Sequence, residues 1–251
     1  MPLHIFTPFS SLPNIECKVR RAEMNTNKKT LRPAEVVIFN HEHFNNNNNE
    51  FRSGSAKDVE LLQTTFKKLK CGVTIIQDAT VKQVRSTVKL LEQKNLEDHS
   101  ALVVVILSHG QRHETIAAYD GTYDLNSDII HPISRNNTLN GKPKILFIQA
   151  CKGVREVTIL KGMFAQVSSF PDLPCNVLKC FSSYEGFVSY RWKDGTPFVR
   201  QLCETLEESP HVDIVTNMDR VRLLVMQSTN NAQVPSVTHS LRTKYAFGDY
   251  I

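Results

Sequence analysis

The chain has 251 residues, of which 41% are apolar and 22% charged, and its formal net charge is +5. This length is enough for one large domain or two small ones. The basic residues are scattered, without the stripe of cations and aromatic residues that marks a nucleic-acid-binding surface. No apolar run approaches the ~18 residues that a membrane-spanning helix needs. We therefore expect neither nucleic acid nor a membrane among its partners.

Residues 1–33 predict a short, flexible leader. They are polar and irregular, and they lack the basic start and long apolar stretch of a secretion signal. Segments below ~40 residues also rarely fold unaided. The six cysteines of the chain are widely spaced, with none of the close pairs of a zinc site. Without a secretion signal these thiols are expected to stay reduced, which predicts a cytoplasmic protein.

Apolar runs and helix-period patterns alternate through the first half of the chain. A continuous apolar run suits a strand buried on both faces of a sheet, whereas apolar residues three and four apart indicate one face of a helix. The predicted strands are 35–40, 73–76, 102–107 and 145–148. One helix is predicted around Leu62 and ends at Gly72, and a second is predicted around Val84, capped by Asp78 or Thr80. A hairpin that turns at Asp120-Gly121 and a weaker helix around Ile129 come later in the chain.

Residues 152–175 interrupt this alternation. Apolar content falls there, and glycine and proline appear, which predicts a long surface linker of the kind that is usually functional in a compact domain. The alternation then resumes with a strand at 177–182, helices around Leu202 and Val221, and a last strand at 234–241. Strands that alternate with helices predict an α/β fold with a doubly wound, mostly parallel sheet.

Two of the predicted strands end in residues suited to nucleophilic catalysis. The 102–107 strand is followed by Ser108-His109-Gly110, and the 145–148 strand by Gln149-Ala150-Cys151. If the two strands are neighbours in a parallel sheet, a thiol and an imidazole meet at the edge where open α/β folds bind their ligands. A Cys–His pair at that edge can form a nucleophile with its acid–base partner.

Each of these residues also has an ordinary structural explanation. A lone cysteine after a strand is usually part of the core, and a lone histidine is more often held by a structural hydrogen bond. Against this, Gln149 is polar where a core strand would stay apolar, and Gly110 lets the backbone approach a substrate. The closely spaced histidine pairs of the chain lack the third ligand of a zinc site, so we expect no metal.

The motif around Cys151 resembles the active-site segment of the caspases, which are aspartate-specific cysteine proteases. Gln149-Ala150-Cys151-Lys152-Gly153 matches their Gln-Ala-Cys-[Arg/Gln/Gly]-Gly signature except at Lys152. His109 lies 42 positions upstream, where the family has its histidine about 50 residues upstream. Other segments that look like caspase motifs are Arg52-Ser53-Gly54-Ser55 with Asp58, Asp98-His99-Ser100, Gly141-Lys142-Pro143-Lys144, Ser189-Tyr190-Arg191 and Asp194-Gly195-Thr196.

This resemblance covers about residues 34–251 and implies a fold and a mechanism. The fold would be a caspase-like, mostly parallel six-stranded sheet flanked by helices, with large- and small-subunit segments in one domain. Cys151 would attack the scissile carbonyl, and His109 would protonate the leaving amine and later activate water, without a cofactor. The N–H groups of Gly110 and Cys151 would hold the oxyanion, and a backbone carbonyl near Glu50 would orient the histidine.

The resemblance also implies a pocket for aspartate at P1, the substrate residue before the cut. Arg52 and Arg191, with Gln149 as an amide donor, would bind its carboxylate, because a planar guanidinium makes two parallel bonds to a carboxylate. Ser189 and Tyr190 would line the neighbouring subsites. The alternative is that each arginine is a solvated surface residue. The segment after Arg191 and the loop after residue 225 are short, which predicts a weak or unusual preference at P4.

Processing and assembly follow from the same resemblance. Caspase precursors are cut after aspartate between a large and a small subunit, and Asp172 is the only aspartate from Lys152 to Val188. The implied parts are a leader at 1–33, a large subunit at 34–172 and a small subunit at 173–251. No aspartate precedes Asp58, so we expect the leader of this short-leader, effector-like member to stay attached. The expected partners are protein substrates with aspartate at P1, a second copy joined near Val234–Leu241, and other caspases as activators.

The expected function is therefore a cysteine endopeptidase that acts in apoptosis. A catalytically silent caspase-like protein that regulates other caspases is the alternative, but silent members usually lose one of the key residues, and all are present here. A related protease that prefers a basic P1 residue would need acidic pocket residues, which the two arginines contradict.

Overall fold

A computed structural model describes residues 31–45, 49–111, 114–150, 174–184 and 195–251. The strands in these ranges are β1 (Glu35–Asn40), β2 (Gly72–Gln77), β3 (Leu102–Leu107), β4 (Thr115–Ala117), β5 (Thr122–Asp124), β6 (Lys144–Gln149), β7 (Val177–Phe181) and β8 (Ser236–His239). The helices are α1 (Ser55–Lys68), α2 (Val81–Gln93), α3 (His131–Ser134), α4 (Pro197–Glu208) and α5 (Ile214–Ser228).

Six of these strands form one sheet in the order β2-β1-β3-β6-β7-β8. Neighbouring strands are parallel except for β7 and β8. The short strands β4 and β5 form a separate antiparallel hairpin. The mostly parallel six-stranded sheet that the sequence predicts is confirmed.

Helices cover both faces of the sheet, which explains why its central strands are apolar throughout. All six residues of β3 are buried. Val103 and Val105 belong to the core shared with α1, α4 and α5, whereas Val104 and Ile106 belong to the core shared with α2 and α3. A strand between two cores has no polar face, so its sequence shows no alternation.

Helix α2 begins at one of the two predicted caps. Thr80 Oγ1 accepts a hydrogen bond from Gln83 N at 3.2 Å, and Gln83 Oε1 accepts one from Thr80 N at 2.8 Å, which together make a capping box. Asp78, the other predicted cap, does not cap this helix. Its Oδ1 accepts hydrogen bonds from the backbone N–H groups of Glu42 and His43, at 2.7 and 2.9 Å. The predicted cap at Asp78 instead anchors the loop that follows β1.

Other elements also differ from the prediction, mostly by one or two residues at their ends. Lys70, with φ of 58°, makes the turn after α1, and Gly72 is already the first residue of β2. The weak helix around Ile129 is a π-helical turn, Asn126–Ile130, that continues into α3. The last strand is shorter than predicted and starts after Pro235, because proline has no N–H for the sheet.

The end of the predicted leader already contacts the domain. Arg32 N donates to Asp98 O at 2.7 Å, and Ser100 N donates to Arg32 O at 2.9 Å. These bonds form a parallel bridge between Arg32 and His99. The chain is therefore held just before it enters β1.

The register of the sheet aligns the carboxyl ends of three strands. Asn40 lies opposite Leu107, and Leu107 lies opposite Gln149. Strands β1, β3 and β6 therefore end side by side. The residues that follow them begin neighbouring loops at the edge where parallel sheets place their functional residues.

Candidate active site

His109 follows β3 by two residues, and a backbone carbonyl holds its ring. The distance from His109 Nε2 to Glu50 O is 2.8 Å, and the ring centroid of Phe44 lies 5.2 Å from that of His109. Because a carbonyl oxygen can only accept a hydrogen bond, Nε2 carries the proton and Nδ1 is the nitrogen that takes up a proton in the neutral ring. The carbonyl implied by the resemblance is that of Glu50.

Gly110 presents its backbone N–H away from the neighbouring hairpin. It lies opposite Ile116 of β4 in an antiparallel bridge. Hydrogen bonds donated by Gln111 N and Ala117 N, at 2.8 and 2.9 Å, flank this bridge. In such a pair the N–H and C=O of the bridged residue point away from the partner strand. The Gly110 N–H therefore points away from β4 and takes no part in the pairing with that strand.

Arg52 is buried, with an exposure of 1%. Its Nη1 donates to His41 O at 3.1 Å and to Ser55 Oγ at 2.8 Å. Gly54, with φ of 84°, is the N-cap residue of α1, two residues after Arg52. The alternative of a solvated surface arginine is therefore excluded for Arg52, and the hydrogen bonds offset part of the cost of burying its charge.

A relay of side chains lies behind this guanidinium. Ser55 Oγ accepts from Arg52 and donates to Asn40 Oδ1 at 2.5 Å. Asn40 Nδ2 then donates to Gln77 Oε1 at 2.9 Å. A hydroxyl that accepts on one side and donates on the other limits how the guanidinium can rotate. The relay therefore holds Arg52 in one orientation.

The roles of Ser55 and Asn40 were not predicted from the sequence. One signal for Asn40 was available: it is a polar residue that closes an apolar strand, as Gln149 does. Its partners could not be read from the sequence, because they lie on β2 and at the start of α1.

His41 is a buried, neutral neighbour of Arg52. Burial, and secondarily the charge of Arg52, lowers the pKa of His41 to about 4. The ring lies between Phe39 and Tyr123, and its Nε2 is 3.3 Å from Tyr123 Oη. His43 is paired differently, with Nδ1 at 2.8 Å from Asp78 Oδ2. His41 and His43 are thus each held by a neighbouring side chain, Tyr123 and Asp78 respectively.

Gln149 closes β6 and is 4% exposed. Its backbone oxygen accepts a hydrogen bond from Ser108 N at 3.1 Å, which ties the end of β6 to the segment that carries His109. The other predicted site residues lie outside the described residues. They are Cys151, Asp172, Ser189, Tyr190 and Arg191.

Comparison with known proteins decides the family. The model of the caspase domain, Peptidase_C14, matches residues 35–247. The chain belongs to the caspase family. Curated relatives include caspase drICE of Drosophila melanogaster, 33% identical over 78% of this chain and 60% of its own length, and caspase-3 of Xenopus laevis, 27% identical over 94% of this chain and 88% of its own.

A solved caspase has the same fold. The crystal structure of caspase-1 from Spodoptera frugiperda matches with a TM-score of 0.76 and 27% identity, over 88% of this chain and 92% of the other. The resemblance stated from the motifs is thereby confirmed. Family membership indicates a cysteine-type endopeptidase, and caspases act on protein substrates and form dimers.

Neither a metal cluster nor a membrane-spanning helix is present in the described ranges. No group of three or more His, Cys, Asp or Glu side chains there could hold a metal ion. No helix in the same part of the chain is long and apolar enough to cross a membrane.

Proposed function

We propose that this caspase cleaves proteins after aspartate, is made as a precursor that is cut at Asp172, and acts in apoptosis in the cytoplasm. The observation that carries the proposal is the buried guanidinium of Arg52, which is held by Ser55 and lies two residues after Glu50, whose carbonyl holds the ring of His109. A buried arginine fits a carboxylate ligand, and a histidine at the same sheet edge fits acid–base catalysis.

The chemistry would proceed through an acyl-enzyme. The Cys151 thiolate forms a bond to the scissile carbonyl carbon, and the carbonyl oxygen takes up the electron pair and is held by backbone N–H groups, among them that of Gly110. His109 donates a proton to the leaving nitrogen as the C–N bond breaks. Water then attacks the thioester carbonyl and His109 accepts its proton, after which the C–S bond breaks, releasing the acid product and regenerating the Cys151 thiolate. No step needs a metal or a cofactor.

A P1-scanning peptide set tests this function. We expect the purified, processed protein to cleave peptides with aspartate at P1 and to reject asparagine and glutamate at that position. Replacement of Cys151 by alanine should remove all turnover, because no nucleophile is left. The direct alternative is a catalytically silent caspase-like protein that regulates other caspases. An aspartyl electrophile separates the two, since failure to label Cys151 would contradict the enzyme and favour the silent protein.

Processing gives a second test. We expect Asp172→Ala to prevent separation of the chain into a large and a small fragment, because no other aspartate is present from Lys152 to Val188. Mass spectrometry of the mature protein identifies the first and last residues of each fragment. Asp120→Ala, in the hairpin loop before β5, is a control that should leave the fragments unchanged. Two normal fragments from Asp172→Ala would refute the assignment.

The second copy would join at β8. This strand pairs only with β7 in the described sheet and so presents one free edge. A β8 strand from a second copy would continue the sheet by antiparallel pairing, which removes the exposed edge. The buried cysteines Cys71, Cys180 and Cys203 are thiols without a disulfide, which supports a reducing compartment.

A further inference from the structure

An ion pair ties the loop that follows Gly110 to the small-subunit segment. Lys179 Nζ of β7 lies 2.9 and 2.8 Å from the two carboxylate oxygens of Glu114. Asn126 Nδ2 donates to the same carboxylate at 3.1 Å. The two charged side chains are only 21% and 20% exposed, so solvent screens this pair less than it screens a surface pair.

Glu114 needs this support because its backbone is strained. Its φ of 58° lies in the left-handed region, which costs a non-glycine residue about 1–2 kcal/mol. The next residue, Thr115, begins β4, and its oxygen accepts the hydrogen bond from Gln111 N at 2.8 Å. That bond is one of the two that flank Gly110. The ion pair therefore holds the Glu114 carboxylate directly before β4, the strand whose pairing orients the backbone of Gly110.

We propose that the pair of Glu114 and Lys179 positions the Gly110 N–H, so that strand β7 of the small-subunit segment controls oxyanion stabilisation in the large-subunit segment. The inference rests on the proposed protease function. Lys179 is a positioning residue, since it acts through Glu114 and β4. Lys179 also lies opposite Thr238 of β8, so it is one strand away from the proposed dimer edge.

This role predicts which kinetic constant changes. The oxyanion forms only as the thiolate attacks. A misdirected Gly110 N–H therefore stabilises the transition state less and leaves substrate binding unchanged. The contacts of Arg52 are with His41 and Ser55, and the backbone oxygen of Gln149 bonds to Ser108, so none of these contacts involves Glu114 or Lys179. A loss of the ion pair is therefore expected in kcat and not in KM.

Lys179→Met in the full, processed protein is the test. We expect kcat toward an aspartate-P1 peptide to fall about tenfold, less than the 10²–10³-fold that loss of a whole oxyanion donor causes, with KM within about twofold. A peptide aldehyde, whose adduct with Cys151 carries the oxyanion, should bind about tenfold more weakly. The matching product acid should bind as before. Lys179→Arg should restore kcat, because a guanidinium also pairs with a carboxylate.

Lys68→Met is the matched control. It removes another ion pair between the large- and small-subunit segments, with Lys68 Nζ at 2.5 Å from Glu207 Oε2 on α4, and should leave kcat unchanged. If Lys179→Met does not fold, Glu114→Gln replaces it and should show the same fall in kcat. An unchanged kcat, a rise in KM of the same size, or no rescue by Lys179→Arg would overturn the role of the pair. Wild-type protein that does not bind the aldehyde would refute the protease function itself.

Discussion

Replacing Arg52 by lysine is expected to lower kcat/KM toward aspartate-P1 peptides on the order of 100-fold, since loss of a buried charge pair costs about 2–5 kcal/mol. Lysine keeps the charge but replaces a rigid planar fork by a single flexible ammonium. In the native pocket, Nη1 is already bonded to His41 O and Ser55 Oγ, so the guanidinium is oriented before substrate arrives. One ammonium cannot serve those two acceptors and a substrate carboxylate in the same planar geometry.

Steady-state kinetics with P1 aspartate and P1 asparagine peptides measure this effect. We expect the loss mainly with aspartate, because only that substrate uses the charged contact. Arg85→Lys is the matched control, since Arg85 is 60% exposed and bonds to Asp128 on the surface. A kcat/KM for Arg52→Lys within about threefold of wild type, or about 0.6 kcal/mol, would contradict a carboxylate contact at Arg52.

Ser55 offers a graded version of the same experiment. Ser55→Ala removes the hydroxyl that accepts from Arg52 and donates to Asn40. We expect kcat/KM to fall about tenfold through a higher KM, because one hydrogen bond to a charged group is worth about 1.5–3 kcal/mol and only part of it aligns the guanidinium. Ser55→Thr keeps the hydroxyl and should retain activity.

Asp58→Ala is expected to lower the free energy of unfolding by about 3 kcal/mol. Asp58 is fully buried on α1, and its Oδ1 accepts from the backbone N and the Oγ1 of Thr196, at 2.7 and 3.2 Å. Thr196 in turn caps α4 by accepting from Val199 N at 3.3 Å. Alanine would leave the buried Thr196 N–H without this acceptor. The contact joins the predicted large- and small-subunit segments, so we expect its loss also to weaken the association of the two fragments after the proposed cut at Asp172.

Urea denaturation of the uncut Cys151→Ala protein measures this loss. Asp219→Ala, at a side chain that is 57% exposed, is the control and should change stability by less than about 0.5 kcal/mol. Gly195→Ala should also destabilise, because its φ is 100° and a Cβ there would lie 2.9 Å from Asp58 Oδ1. If the Asp58 and Gly195 variants both unfold like wild type, this buried contact does not stabilise the fold.

The approximate positions of the main strands and helices, and the resemblance to caspases, could be predicted from local sequence patterns. The apolar run of β3 has no polar positions because the strand is buried on both faces, and that pattern is local to the strand. The caspase motifs around His109 and Cys151 are also contiguous stretches of sequence. Burial and short-range spacing leave direct marks on residue type, so a strand and a motif can be read before the chain is folded.

The hydrogen-bond partners of the site residues could not be predicted from the sequence. The Glu50 carbonyl that holds His109 is a backbone atom, and its position was indicated by the family and not by the residue at 50. The links from Ser55 to Asn40, from Asp58 to Thr196 and from Lys179 to Glu114 join residues that are far apart in the chain. Such contacts depend on how the helices, strands and loops pack against one another, and no local pattern encodes that packing. A side-chain hydrogen bond needs two groups within about 3 Å, and these pairs come that close only in the folded chain.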